Sequence, residues 1–388
     1  MVKEVAERVQ TIERSLFYEI RDMISNYKDA ISLTLGEPDF PTPKHIVEAG
    51  KEALDKGLTR YAGDTGSPIL REKIAQKAKR DYGLDINAEK GVAITIGAAA
   101  ANCTTIMSLI NPGDEVITQS PYYPPYNTIV RLAGGIPKFL KLHEENGFQP
   151  ASEEMERLVT DRTRLFFINN PSNPTGAVFE KETLETIADI AKRHDLYVLS
   201  DEVYEKFTYE NTHFQSMASL SGMFERTIIT NSFSKTYAMT GWRVGYAIGP
   251  PSLISQVVNV HYATNVSVPM MAQMAAVAAL SGSQDCVEKM LSEYGRRRRI
   301  IVEGLNRIHG IKCSWPQGAF FVFPKIDFLN GRSLEFAKFL ALEARVAVVP
   351  GVAFGSDGEG YMRLSYSASV DNINEALKRI GEATEKLV

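Results

Sequence analysis

From about residue 92 the chain alternates short apolar runs with helical patterns. VAITIG (Val92–Gly97) leads into an alanine-rich helix that stops before Asn111-Pro112-Gly113-Asp114, a strong turn signal. EVITQ, IPKFLKL, TRLFFIN, LYVLS, RTIIT and RVGYAIG follow in order, with one helix expected through Ile129 and Leu132 and another begun by Glu180 and Thr183. Such runs suit strands buried on both faces, and the helices between them predict an α/β fold with a mostly parallel central sheet covered by helices. After residue 270 the pattern changes to a long helical region through about Ile308, then GAFFVFP, a helix near Ser333–Ala344, ARVAVVP, YMRLSY and a C-terminal helix. That is the pattern of a smaller α+β unit. Thr42-Pro43 is a good helix start. A large domain is therefore expected over residues 42–285, and a small one from residues 1–41 together with 286–388.

Composition narrows the function classes. With 388 residues the chain has room for two such units, and 44% hydrophobic with 23% charged residues is ordinary for a globular protein. A net charge of -4 offers a polyanion nothing, so no nucleic-acid partner is expected. The run Arg296-Arg297-Arg298-Arg299 reads as the solvated face of a long helix. Cys103, Cys286 and Cys313 form no CxxC and no disulfide framework, and the six histidines contain no HExxH, so no metal is expected. Cys103 and Cys313, in apolar company, are expected in the core. MVKEVAERVQ carries charge too early for a signal peptide, and Met270–Leu280 is too short for a membrane span. A cytoplasmic location without membrane contact is the expectation.

The common ligand motifs of α/β sheets are missing: no GxGxxG, no GxxxxGK[ST] and no GxSxG occurs. Polar residues instead gather just after the predicted strand ends, where open α/β sheets place ligands. Gly97-Ala98-Ala99 opens a helix whose N–H groups suit a phosphate. Tyr123 follows the second run, Asn173 sits in Asn170–Gly176, Asp201 and Tyr204 follow LYVLS, and Ser232, Ser234 and Lys235 follow RTIIT, with Arg243 opening the next run. Each has an ordinary reading alone: Asn173 a turn residue, Asp201 a helix cap, Lys235 a surface lysine. Together they suit one task, holding an aromatic phosphate aldehyde.

The motifs SLTLGEPDF, YAGDTGSPILREKIA, NNPSNPTG, SDEVY, SFSKTYAMTGWRVGY and YMRLSYS, in this order, resemble the class I/II aminotransferases of pyridoxal-phosphate fold type I, from about Ile31 to the C-terminus. The resemblance implies pyridoxal 5'-phosphate as cofactor and an L-amino acid and a 2-oxo acid, such as 2-oxoglutarate, as substrates. It implies Lys235 as the imine lysine and proton shuttle, Asp201 beside the ring nitrogen, Tyr204 and Asn173 on the ring oxygen, and Tyr123 stacked on the ring. Gly97, Ala98, Ala99, Ser232, Ser234 and Arg243 would hold the phosphate, with Tyr61 arriving from the second subunit of a homodimer. Arg363 would bind the substrate carboxylate, with Asn173 nearby and Gly36 letting the N-terminal segment close over it. Leu16, Phe17 and Tyr18 read either as an apolar lid or as a buried helix face. Two departures bear on the substrate. Ala98–Ala101 contains no lysine for a distal carboxylate, and His261–Val268, with Tyr262, Asn265 and Val266, contains no arginine. Aspartate, aromatic and other neutral donors stay open. A carbon–sulfur β-lyase on the same residues is the alternative reading, and a ligand-sensing domain without turnover is a third.

Overall fold

The computed structural model describes residues 5–10, 12 and 16–387; residues 1–4, 11, 13–15 and 388 of the expected small domain lie outside the described residues. Seven strands form the central sheet: β1 Val92–Thr95, β2 Glu115–Ser120, β3 Ile136–Lys141, β4 Thr163–Asn169, β5 Tyr197–Asp201, β6 Thr227–Ser232 and β7 Gly245–Ile248. Their order is β1-β7-β6-β5-β4-β2-β3. Every pair is parallel except the two made by β7, which runs against both β6 and β1. The mostly parallel sheet expected from the apolar runs is present. β2 and β6 are buried at every position, which is why those segments read as unbroken rather than alternating.

The helices follow from local signals. Pro68 stands in the first turn of Pro68–Tyr82, and Gly83 ends that helix in the left-handed region at φ 72°. Lys181–Arg193 buries Leu184, Ile187, Ala188 and Ala191, a single stripe at helical spacing. Ser369 caps Val370–Thr384 by accepting from the Asn372 N–H.

The N-terminal segment joins the C-terminal part. Ile31–Ser32 pairs in parallel with Val346–Ala347. Phe321–Val322 and Val349–Pro350 flank Met362–Ser365 in a three-stranded antiparallel sheet. One apolar core contains Ile20, Ile24 and Leu33, then Tyr204 and Phe207 from beyond β5, then Phe320, Leu364 and Ile380. Tyr204 thus has its back against the C-terminal part while Asp201 stays in the sheet.

Two expectations need correction. The arginine run is not a solvated face: Arg296 and Arg299 are exposed, but Arg297 and Arg298 are buried. Arg297 bonds Glu293 and Asp39, and Arg298 bonds Glu210 and the Pro316 carbonyl while lying over the Tyr209 and Trp315 rings. Four consecutive residues on a helix span a full turn, so one polar run must face both ways. Cys103 is only partly buried, whereas Cys313 is in the core as expected. Among the described residues, no helix is long and apolar enough to cross a membrane, and no cluster of metal-ligating side chains occurs.

Candidate active site

The parallel strands end side by side, and their register sets the site. Asn169 of β4 lies opposite Asp201 of β5, Asp201 opposite Thr230 of β6, and Ser232 opposite Gly245 of β7. Side chains from distant stretches of sequence therefore meet along one edge.

Asp201 is buried, and two side chains donate to its Oδ2: the Asn102 amide at 2.6 Å and the Tyr126 hydroxyl at 2.9 Å. Its Oδ1 has a longer bond, 3.3 Å from the Val203 N–H. Burial pushes the Asp201 carboxyl up from its ordinary value, opposed by the bonds from Asn102 and Tyr126 and by the Lys235 charge. Asp201 forms no ion pair among the described residues, and Oδ1, which takes only the long Val203 bond, keeps capacity for a cationic donor.

Lys235 lies beyond the end of β6, and its Nζ donates to the Gly36 carbonyl. Burial depresses its pKa to about 8; Glu37 opposes the shift, while Arg363 and Arg243 add to it. About a tenth of this amine is therefore free of its proton at pH 7.

Arg363 is buried on Met362–Ser365. It donates to Asn173 Oδ1 at 3.1 Å and to the Thr34 carbonyl, and its Nε has no partner among the described residues. Three rings surround it, Phe321 at 4.5 Å, Phe17 at 4.8 Å and Phe354 at 5.1 Å. Burial lowers its pKa to about 10, so it stays cationic at neutral pH. A buried guanidinium with an unused N–H and no carboxylate partner among the described residues suits an incoming carboxylate. Phe17 also resolves the two readings of its helix. Leu16–Ile24 buries Ile20 and Ile24 in the core, and one turn earlier Phe17 reaches Arg363 and packs edge-on against Phe354 at 5.3 Å.

Asn173 takes the Asn169 side chain on its backbone N–H at 2.8 Å, and its amide lies against the buried Tyr204 hydroxyl. Tyr123 stands edge-on to Tyr126 at 5.5 Å and 83°, with one part of its ring open. Gly36 passes close to the Phe321 ring, where a Cβ would sit at a tight 3.3 Å.

The candidate anion cradle lies where Gly97 opens the helix Gly97–Leu109, whose N-cap Ile96 offers no side-chain acceptor. Gly97 has φ +72°, and a Cβ on it would come within 2.8 Å of Arg243 Nη2. Gly245 packs as tightly, since its Cβ would meet the Ala98 nitrogen at 2.8 Å. Gly97, Ala98, Arg243 and the strand bearing Ser232 are thereby drawn together, and Ser232 Oγ accepts from the Ser234 N–H. Ala99 follows as the exposed residue of the first turn. Tyr61 is not brought to this cluster: it is 83% exposed and makes no hydrogen bond, ring contact or ion pair among the described residues. His261 is buried and accepts the Ile96 N–H at 3.3 Å.

Several residues here escaped the sequence reading: Asn102, Tyr126, Asn169, Thr230, Thr34 and Phe321. Asn102 carried one signal, a polar amide inside the alanine-rich helix and five residues after Gly97.

Beside the site, Glu202 is buried and accepts from Ser200, Ser216 and the Met217 N–H through Oε1, with Oε2 unpartnered. Burial, then the nearby Glu205 charge, pushes its pKa up to about 8. An acid whose folded pKa is raised costs nothing below its unfolded value near 4.5, and its cost grows until the folded pKa is passed. E202Q should therefore match the parent at pH 4 and exceed it above pH 8 by several kcal/mol, about 3–5 on the linkage relation. Denaturant midpoints across pH 4–9 measure this; parallel curves for both proteins would remove the assignment.

With that geometry in place, comparison with known proteins decides the family. The family described as aminotransferase class I and II matches residues 28–380. This chain belongs to it. An aspartate aminotransferase of Pyrococcus abyssi is 42% identical, covering 97% of each chain. Aromatic-amino-acid aminotransferase 2 of Thermococcus litoralis is also 42% identical, again over 97% of each. The crystal structure of an aromatic aminotransferase from Pyrococcus horikoshii superposes with a TM-score of 0.91 at 43% identity, covering 95% of this chain and all of that one. The protein is an amino-acid aminotransferase of a pyridoxal-phosphate-dependent family. The lyase alternative finds no support among these relatives.

Proposed function

We propose that this aminotransferase holds pyridoxal 5'-phosphate at the C-terminal edge of its sheet and moves an amino group from an aromatic or other neutral L-amino acid to 2-oxoglutarate. The observation that carries the reading is the pairing of two buried, unneutralised charges, Asp201 in the sheet and Arg363 above it, with Lys235 set near both. The residues fit the cofactor: the cradle at Gly97 is too tight for a Cβ, and Asp201 has capacity left for a cationic donor.

When bound, the cofactor supplies an aldehyde for the amino group and a positive ring that draws electron density from the substrate's α-carbon. Asp201 would keep the ring nitrogen protonated. Tyr204 and Asn173 would serve the ring oxygen, and Tyr123 would cover the ring. The N–H groups of Gly97, Ala98 and Ala99, with Ser232, Ser234 and Arg243, would hold the phosphate, helped by the partial positive charge of the helix N-terminus. Arg363 takes the substrate α-carboxylate beside Asn173, and the Gly36 segment closes above it. Lys235 Nζ would take the proton from the substrate's α-carbon and deliver it to the carbon that had carried the cofactor's aldehyde.

Phe17, Phe321 and Phe354 around Arg363, with no fixed cation in Ala98–Ala101 or His261–Val268, favour aromatic and neutral donors. The exposure of Tyr61 favours a homodimer in which it completes the second site. Residues 42–285 would act as the large domain and 1–41 with 286–388 as the small one, with the site between them. Three free cysteines suit a reducing cytoplasm.

A donor screen against 2-oxoglutarate tests the reading. Each donor consumed should appear as one glutamate with no ammonia released, and phenylalanine or tyrosine should have a higher kcat/KM than aspartate. Ammonia release in place of glutamate would overturn the transfer, and a ten-fold preference for aspartate would overturn the donor class.

A further inference from the structure

Two side chains and one backbone N–H donate to Asp201, and one of those donors, an amide, has two possible orientations. Asn102 lies between Asp201 and Thr230: its amide nitrogen is 2.6 Å from Asp201 Oδ2, and its amide oxygen is 2.5 Å from Thr230 Oγ1. All three side chains are buried. An ionised carboxylate only accepts hydrogen bonds, whereas an amide donates at one end and accepts at the other. The direction of Asn102 is therefore coupled to the protonation state of Asp201. With –NH2 toward Asp201, the amide supports the anion. Turned over, its carbonyl would face Asp201 and support the protonated acid.

Thr230 decides between these orientations. Its hydroxyl is buried on β6 and donates to Asn102 Oδ1. In the turned orientation the hydroxyl would face –NH2 and have to accept, leaving its own proton without this acceptor. The cost of an unmade buried hydrogen bond opposes that arrangement.

We propose that Asn102, oriented by Thr230, is a positioning residue that holds Asp201 in its ionised state against the pull of burial. This rests on the reading of Asp201 given above. Asn102 and the Tyr126 hydroxyl both occupy Oδ2, which leaves Oδ1 as the oxygen with capacity for another donor. Bonds to one oxygen lower the basicity of the whole carboxylate, so a proton shared with a bound ring nitrogen stays on the nitrogen. Loss of the Asn102 donor moves that proton toward Asp201 and weakens the electron sink. The rate of transfer falls, while substrate binding at Arg363 is little affected.

Two variants and two ligands test the inference. N102L removes the donor at similar volume, and T230V removes only the group that orients it. Apoenzyme affinity is measured by calorimetry for pyridoxamine phosphate and for its analogue with carbon in place of the ring nitrogen. In the parent the nitrogen ligand should bind more tightly. Both variants should lose about ten-fold in that preference, the effect expected of one hydrogen bond to a charged group. Loaded with pyridoxal phosphate, both should lose kcat by a similar factor with KM changed less than two-fold, and T230S should restore both quantities. An unchanged preference in both variants, or equal weakening toward both ligands, overturns the inference. A parent enzyme that binds the two ligands equally overturns the reading of Asp201 itself, and the inference with it.

Discussion

Lys235→Ala should abolish amino transfer, lowering kcat by about 10⁴-fold or more, because in the proposed mechanism one amine serves as attachment point and proton carrier. The expected magnitude follows from its surroundings. An ordinary lysine near pKa 10.5 has only about one free amine in 3,000 at pH 7, whereas a value of about 8 raises that share to about a tenth. Burial drives the shift, and the charges of Arg363 and Arg243 act in the same direction. The lowered pKa comes from burying one cation and placing it near two others, with Glu37 and Asp201 opposing the shift. Two measurements check this. Borohydride reduction of the loaded enzyme followed by peptide mapping should place the cofactor mass on the Lys235 peptide. Added methylamine should restore part of the K235A activity, since a small free amine can take over the proton transfer. A cofactor label on another lysine would sink the assignment.

Asp201→Asn should keep the cofactor bound and lower kcat by about 100- to 1,000-fold, the usual cost of removing one preorganised electrostatic partner from a dry site. Binding survives because the phosphate cradle at Gly97 and Arg243 lies at another strand end. The turnover is lost because a neutral amide cannot hold a ring proton as a carboxylate does. Asn102 and Tyr126 sharpen the effect: both donate to Oδ2, so the new amide would keep its oxygen there and turn its –NH2, a donor, toward the ring nitrogen. The visible absorption of the bound cofactor reports retention, and steady-state kinetics report the loss. Full activity of D201N would refute the electronic role.

The two residues were legible in the sequence to different degrees. Lys235 in SFSK and Asp201 in SDEVY gained meaning from their order after successive apolar runs, since a parallel sheet aligns the ends of its strands. Arg363 was legible only through the YMRLSY motif. That the guanidinium is buried among Phe17, Phe321 and Phe354 depends on the Leu16–Ile24 helix meeting a strand more than 300 positions later. No local pattern records such a meeting. The arginine run shows the same limit in reverse: a polar stretch on a helix suggested solvent, and tertiary partners at Asp39, Glu210 and Pro316 drew two of its members inside.

What the sequence by itself determined was the sheet, its mostly parallel sense and the candidates gathered at its strand ends, because periodicity and strand ends are local properties of the chain. What only the tertiary structure decided was the company those residues keep. Asn102 donates to Asp201 across 99 positions and accepts from Thr230 across 128. Gly36 meets Lys235 across 199. Charge state and reactivity depend on burial and on such neighbours, and these exist only once the chain has packed.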